Sequence, residues 1–95
     1  MKTDFYDDTL TIFLEGRIDS NSAAETEAQI MAALSQNTNA AKVQFDADKL
    51  DYISSAGLRV LLIMKKKGDI FLENVRPQVM EILETTGFDS IFFEE

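Results

Sequence analysis

Two adjacent hydroxyl side chains, Ser54 and Ser55, follow an apolar stretch and precede a helical pattern. A serine directly before a helix can accept a hydrogen bond from a backbone N–H group that the first turn leaves unpaired, so Ser54 is predicted to be the N-cap. Ser55 then falls in the first turn, beside the positive end of the helix dipole. Added negative charge is favoured there by roughly 0.3 to 1 kcal/mol at an exposed site, so a phosphate on Ser55 would fit.

The two residues after the serines, Ala56 and Gly57, are small and leave the Ser55 hydroxyl unshielded. Glycine within a helix costs about 1 kcal/mol relative to alanine, so its presence suggests a functional reason. We interpret Gly57 as a position where the backbone of another protein can approach closely.

The helix after Gly57 is apolar nearly all round, which is unusual for a surface helix. Its outer face, beginning with Leu58 and Arg59, is therefore expected to meet a partner, with Arg59 either solvated or facing that partner. The run of Lys65 to Lys67 suits a helix C-terminus, and Gly68 follows where a helix commonly ends. The predicted helix spans residues 55–67.

The absence of cysteine and histidine excludes several kinds of chemistry. Thiol catalysis, Ser-His-Asp chemistry and most zinc sites need these residues. If Ser55 were a nucleophile it would need another base, and the lysines lie about ten residues along the helix, roughly 15 Å away. No glycine-rich phosphate-binding loop is present in the sequence. We therefore expect no enzyme, no metal and no cofactor.

The formal net charge of −8 argues against a nucleic acid or an anionic membrane as partner, because both require positive surfaces. A basic protein partner is the expectation that follows from this charge. No apolar run reaches the ~20 residues that a membrane span requires, and the first residues lack the apolar core of a secretion signal. We expect a cytoplasmic protein.

Hydrophobic periodicity predicts one α/β domain over residues 1–95. The predicted elements are strands at 5–6 and 9–15 joined by a tight turn, a helix from about 23 to 36, a short strand at 42–46, the helix at 55–67, a strand at 69–73 parallel to 43–45, and a helix from Pro77 to Gly87. Phe88 and residues 91–93 are expected to pack back onto the sheet, and Glu94 and Glu95 to form a solvated tail.

The segment 16–21 is predicted to be a loop, and Ser22 with Glu25 fits the Ser-x-x-Glu capping box that starts a helix. Asp19 lies in this loop and has two interpretations. It can cap a turn or the helix N-terminus, or it can act near Ser55.

The run from Leu50 to Leu62 resembles the signature of STAS domains of the bacterial anti-sigma factor antagonist type, in which an apolar strand, Asp-Ser-(Ser/Thr)-Gly-Leu and an apolar helix follow one another. Alignment on Gly57 and Leu58 puts Ser55 on the phosphorylated serine of that family. Ser54 stands where the family usually has Asp. Asp19 matches the position of an acidic residue near that serine.

The resemblance implies the STAS fold: a mixed four- to five-stranded sheet with helices mainly on one face, in the order β-β-α-β-α-β-α with a short C-terminal apolar segment. It implies an anti-sigma factor antagonist that binds an anti-sigma factor when unphosphorylated and is released by phosphorylation of Ser55. That anti-sigma factor would also be a serine-protein kinase of the histidine-kinase-like ATPase type, and a PP2C-type phosphatase would restore the serine. The predicted partner-binding residues are Asp19, Ser54, Ser55, Ala56, Gly57, Leu58 and Arg59.

Two other matters stay open at the level of sequence. The same fold could serve as a ligand sensor or as a scaffold subunit of a signalling complex. We expect a monomer, with a weak dimer as the alternative.

Overall fold

A computed structural model of the chain describes residues 1–68 and 70–93. Its first two strands, β1 (Thr3–Tyr6) and β2 (Thr9–Ile18), pair antiparallel. Asp7 and Asp8 connect them, with φ angles of 54° and 61°. Two successive residues with positive φ are typical of the two-residue hairpin turn whose twist matches that of the strands. The predicted hairpin is therefore confirmed.

The third strand, β3 (Lys42–Ile53), is much longer than the sequence predicts. The predicted loop at 16–21 is wrong in its first half, because β2 continues to Ile18, and the predicted end of the third strand at residue 46 is wrong, because β3 continues to Ile53. The register between β2 and β3 shifts twice, between Phe13 and Glu15 and between Gly16 and Arg17, and Gly16 has a φ of +69°. Such bulges break the alternation of apolar and polar residues, which is the signal for a strand.

The sheet has four strands in the order β1-β2-β3-β4, with β4 at Ile70–Glu73. β3 lies parallel to both β2 and β4. The predicted parallel pairing with β4 is confirmed, and Val43 is in register with Ile70. The helices α1 (Ala23–Gln36) and α2 (Ser55–Lys67) form the two crossovers. Parallel crossovers are right-handed and these two step in the same direction, so both helices lie on one face of the sheet and pack against each other.

That face of the sheet carries the core. The largest fully buried side chains of the strands are Leu10, Ile12, Leu14, Phe45, Leu50 and Ile53, and those of the helices include Ile30, Leu58, Leu61, Met64 and Leu83. Alternate strand residues point to the other face, which none of the helices described in residues 1–68 and 70–93 covers. Phe13 and Phe71 lie there, beneath the ammonium groups of Lys2 and Lys42, at 5.1 and 4.7 Å from the ring centres.

The remaining elements are α3 (Pro77–Thr86) and the short helix α4 (Asp89–Phe93). Pro77 opens α3 and Gly87, with φ +80°, ends it, as predicted. Phe88 and Phe92 pack against the core, whereas Phe93 is 40% exposed, so its predicted packing is wrong. The predicted first residue of β4, Asp69, and the predicted tail of Glu94 and Glu95 lie outside the described residues.

Candidate functional site

The two serines lie at the junction between the carboxyl end of β3 and the start of α2. Ser54 has an extended backbone, and its side chain accepts a hydrogen bond from the N–H of Gly57 at 3.3 Å. Its own N–H donates to the carbonyl of Ile18 at 2.8 Å, and its carbonyl accepts from the N–H of Leu58 at 2.8 Å. Ser54 is thus the N-cap, as predicted, and it joins α2 to the end of β2.

Ser55 is the first residue of α2, and its side chain is exposed. Within residues 1–68 and 70–93 its hydroxyl makes no side-chain hydrogen bond, whereas the hydroxyl of Ser54 is occupied in capping. The two serines therefore divide two tasks. Ser54 holds the helix start, and Ser55 exposes its hydroxyl to the solvent.

Gly57 is buried, so the interpretation that it admits another protein's backbone is wrong. A Cβ atom at this position would lie 2.7 Å from Cγ1 of Ile53 and 2.8 Å from Cγ2 of Ile18. It would also lie 3.2 Å from the carbonyl oxygen of Ile18. Glycine is required because α2 begins in close contact with the ends of β2 and β3.

The predicted partner-binding residues on α2 differ in exposure. Ser55 and Arg59 are exposed, Ala56 is half-buried against the core, and Leu58 is only 1% exposed. Leu58 therefore cannot offer its side chain to a partner without a change in the fold, and the backbone of Gly57 is buried as well. The prediction that α2 meets a partner is untested.

One face of α2 that is turned to the solvent carries Ser55, Arg59, Leu62 and Lys66, which we call the α2 stripe. These residues follow the spacing of one helix face, and all are exposed except the half-buried Leu62. Lys65 is not part of the stripe. Its Nζ donates a hydrogen bond to the carbonyl of Ile70 at 3.1 Å. The stripe thus combines one hydroxyl, one aliphatic side chain and two cations.

Charge is distributed unevenly over the chain. Helix α2 carries four of the nine basic residues and none of the seventeen acidic ones. The net charge of −8 therefore arises outside α2, and the α2 stripe is a cationic surface on an acidic protein. The sequence-based inference of a basic partner treated the charge as uniform and does not apply to this surface.

Asp19 caps a turn, in agreement with one of its two interpretations. Its Oδ1 accepts from the N–H of Asn21 at 3.0 Å and lies 3.4 Å from Oγ of Ser22. Ser22 does not form the predicted capping box, because its hydroxyl accepts from the N–H of Asp19 rather than from the first turn of α1. Asp19 follows Ile18, which holds Ser54, so it lies at the same edge of the sheet as the serines. A role of Asp19 towards Ser55 stays a prediction.

Two further contacts at this edge were missed by the sequence analysis. The guanidinium of Arg17 lies 4.4 Å from the ring centre of Tyr52, its partner in register. Arg76, which precedes α3, pairs with Asp51 at 2.6 Å and also donates from Nε to the carbonyl of Asp48. The register that starts at Thr9 and Lys42 would place Arg17 beside Leu50, and the two register shifts bring it to Tyr52 instead. The pair of Asp51 and Arg76 likewise had no signal in the sequence.

Other kinds of site are absent from the part of the chain that the structure describes. Its acidic residues form no cluster of three or more that could hold a metal ion. None of the helices in residues 1–68 and 70–93 has both the length and the apolar character that crossing a membrane would take.

Known proteins resemble this chain in sequence or in fold. The chain is 38% identical over 94 residues to BtrV of Bordetella bronchiseptica, which is named a candidate anti-sigma factor antagonist. The match covers 94% of this chain and 79% of BtrV. The fold is similar to that of the anti-sigma factor antagonist SpoIIAA in its unphosphorylated form, with a TM-score of 0.72. The two sequences are 21% identical, and the match covers 90% of this chain and 79% of SpoIIAA. The phosphorylated form of SpoIIAA, described as a Bacillus cell fate determinant, gives a TM-score of 0.60 with 20% identity and coverage of 90% and 82%.

A family profile described as "Mlab, STAS domain" matches residues 1–93. The match includes both serines, the whole of α2 and every strand of the sheet. This protein therefore belongs to the STAS domain family.

Proposed function

We propose that this protein is an anti-sigma factor antagonist, a regulatory and non-enzymatic module of a partner-switching pathway. When Ser55 is unmodified, the protein binds an anti-sigma factor that is also a serine-protein kinase of the histidine-kinase-like ATPase type. Phosphorylation of Ser55 by that kinase releases the protein, and a PP2C-type phosphatase restores the serine. The observation that carries this proposal is the exposed, unoccupied hydroxyl of Ser55 at the start of α2.

The switch works locally and needs no refolding. Ser55 is exposed and Ser54 alone caps the helix, so a phosphate can be added without breaking a contact that holds the fold. Phosphorylation adds about −1.5 to −2 charges at neutral pH, and screening limits their reach to about 8 Å at physiological salt. A partner must therefore contact the first turn of α2 to detect the phosphate.

The contact surface of the anti-sigma factor is expected to be acidic with an apolar centre. The α2 stripe offers Arg59 and Lys66 on either side of Leu62, and α2 has no acidic residue. Charge complementarity of this kind speeds association and selects the partner. A phosphate on Ser55 would then face carboxylates of the partner, and one such unpaired charge in an interface costs several kcal/mol, where each 1.4 kcal/mol is a factor of ten in affinity.

Two measurements test the proposal. The kinase and ATP are incubated with the protein, and the phosphate is located by mass spectrometry; Ser55→Ala should accept none, and Ser35→Ala, an exposed serine on α1, should be phosphorylated normally. In a pull-down, Ser55→Ala should retain the anti-sigma factor and Ser55→Asp should lose it. Phosphate on another residue, or equal retention of both variants, would contradict the proposal.

A further inference from the structure

We propose that Arg59 is the partner of the Ser55 phosphate within the same protein, so that phosphorylation also removes the guanidinium charge from the α2 stripe. This inference rests on the proposed phosphorylation of Ser55 and concerns what the phosphate does once it is attached. It makes Arg59 a positioning residue of the switch in addition to a contact for the partner.

The spacing of the two residues brings them together. Ser55 and Arg59 are four residues apart in α2 and both are exposed. Residues at this spacing lie about 5 to 6 Å apart at their Cβ atoms. Helical side chains lean towards the N-terminus and cover the preceding turn, so a guanidinium at position 59 can reach a phosphate on Ser55. An anion placed four residues before a cation is also the favoured order of charges on a helix.

Arg59 is available for this contact. Within the described ranges, 1–68 and 70–93, it forms no ion pair, whereas Arg76 is held by Asp51. The third arginine of the chain, Arg17, lies over the ring of Tyr52. Since α2 contains no acidic residue, a modified Ser55 is the anion that this helix can supply. The planar guanidinium can donate two parallel hydrogen bonds to a phosphate, which an ammonium group cannot do.

The effect of Arg59 must be separated from the effects of other charged groups on the elements near the first turn of α2. Asp19 lies in the loop after β2, the pair of Asp51 and Arg76 lies at the end of β3, and α1, which packs against α2, carries Glu25 and Glu27. Each of these charges contributes to the electrostatic potential at Ser55, which we call the general field. A substitution that removes one positive charge elsewhere on α2 measures that general field, and Lys66 on the same stripe is suitable, since it lies eleven residues or about 16 Å from Ser55.

The experiment uses the full chain with phosphoserine incorporated at position 55 during synthesis, so that no kinase is required. The second pKa of the phosphate, ordinarily about 6, is measured by phosphorus NMR in the wild type and in Arg59→Gln, Arg59→Lys and Lys66→Gln. Arg59→Gln should raise this pKa by about 0.2 to 0.4 unit, Arg59→Lys should raise it less, and Lys66→Gln should leave it nearly unchanged. Circular dichroism confirms that each variant is folded.

Equal changes in Arg59→Gln and Lys66→Gln would overturn the inference, because they would show a diffuse field rather than a pair. No change in Arg59→Gln would overturn it as well. Both outcomes leave the proposed function untouched, since release of the partner by phosphate repulsion does not require the pair. Failure of the kinase to modify Ser55 would instead refute the proposed function without altering this measurement.

Discussion

The backbone N–H of Ser54 donates a 2.8 Å hydrogen bond to the carbonyl oxygen of Ile18. This bond joins the last residue of β2 to the cap of α2, so the position of the exposed Ser55 is set by the sheet rather than by a loop.

Gly57→Ala should destabilise the protein although alanine is the better helix former. The clash with two buried side chains, Ile18 and Ile53, should cost about 2 to 3 kcal/mol, against a gain in helix propensity of about 1 kcal/mol, and the net loss should be about 1 to 2 kcal/mol. Urea denaturation measures it. Gly68→Ala is the control, since a Cβ there meets nothing within 4 Å; an equal effect of both substitutions would contradict the close contact.

Ser54→Ala and Ser55→Ala should separate the two serines by stability alone. Loss of the N-cap hydrogen bond in Ser54→Ala should lower the free energy of unfolding by about 1 kcal/mol. Ser55→Ala should change it by less than about 0.5 kcal/mol, as is usual for an exposed side chain without contacts. The two variants are compared by denaturation at one salt concentration. A larger loss in Ser55→Ala would show that its hydroxyl has a structural role.

The pair of Asp51 and Arg76 should contribute little. Both side chains are partly exposed, at 58% and 39%, and such pairs contribute about 0.2 to 1 kcal/mol. A double-mutant cycle with Asp51→Asn and Arg76→Gln measures the coupling, which should decrease at high salt. Arg76→Gln alone should cost more than Asp51→Asn, because it also removes the hydrogen bond to the Asp48 carbonyl. A coupling unaffected by salt would contradict this description.

Charge reversal on the α2 stripe should weaken binding of the anti-sigma factor. Lys66→Glu places a negative charge opposite the expected acidic surface, and we expect about a tenfold loss of affinity, greater at low salt. Lys42→Glu makes the same change on the uncovered face of the sheet and should have little effect. Affinity is measured by calorimetry at two salt concentrations. A stronger effect of Lys42→Glu would place the interface on the sheet.

The sequence predicts α2 correctly because all of its signals are local. The cap at Ser54, the apolar run, the three lysines and Gly68 lie within fifteen consecutive residues, and the predicted bounds of 55–67 agree with the structure. The parallel pairing of β3 and β4 was also predicted, since a helix between two strands requires a crossover.

The errors arise where distant residues decide the outcome. Gly57 was assigned to partner access because the contact with Ile18 is made by a strand far away in the sequence. The length of β3 was underestimated because its bulges place polar residues such as Asp48 and Lys49 in succession, which is also typical of loops. The local sequence pattern cannot distinguish a bulged strand from a loop, because a bulge is defined by the pairing with the partner strand.

The lysines above Phe13 and Phe71 also bear on how this protein should be labelled for binding measurements. Amine-reactive dyes convert ammonium groups into neutral amides, and modification of Lys2, Lys42 and Lys65 would remove the cations that lie over the rings of Phe13 and Phe71. Labelled molecules would then adhere to each other or to the instrument surface and imitate a specific complex. The chain contains no cysteine, so one introduced on α1, at the exposed Ser35, allows a thiol-reactive dye to be attached at a single chosen position.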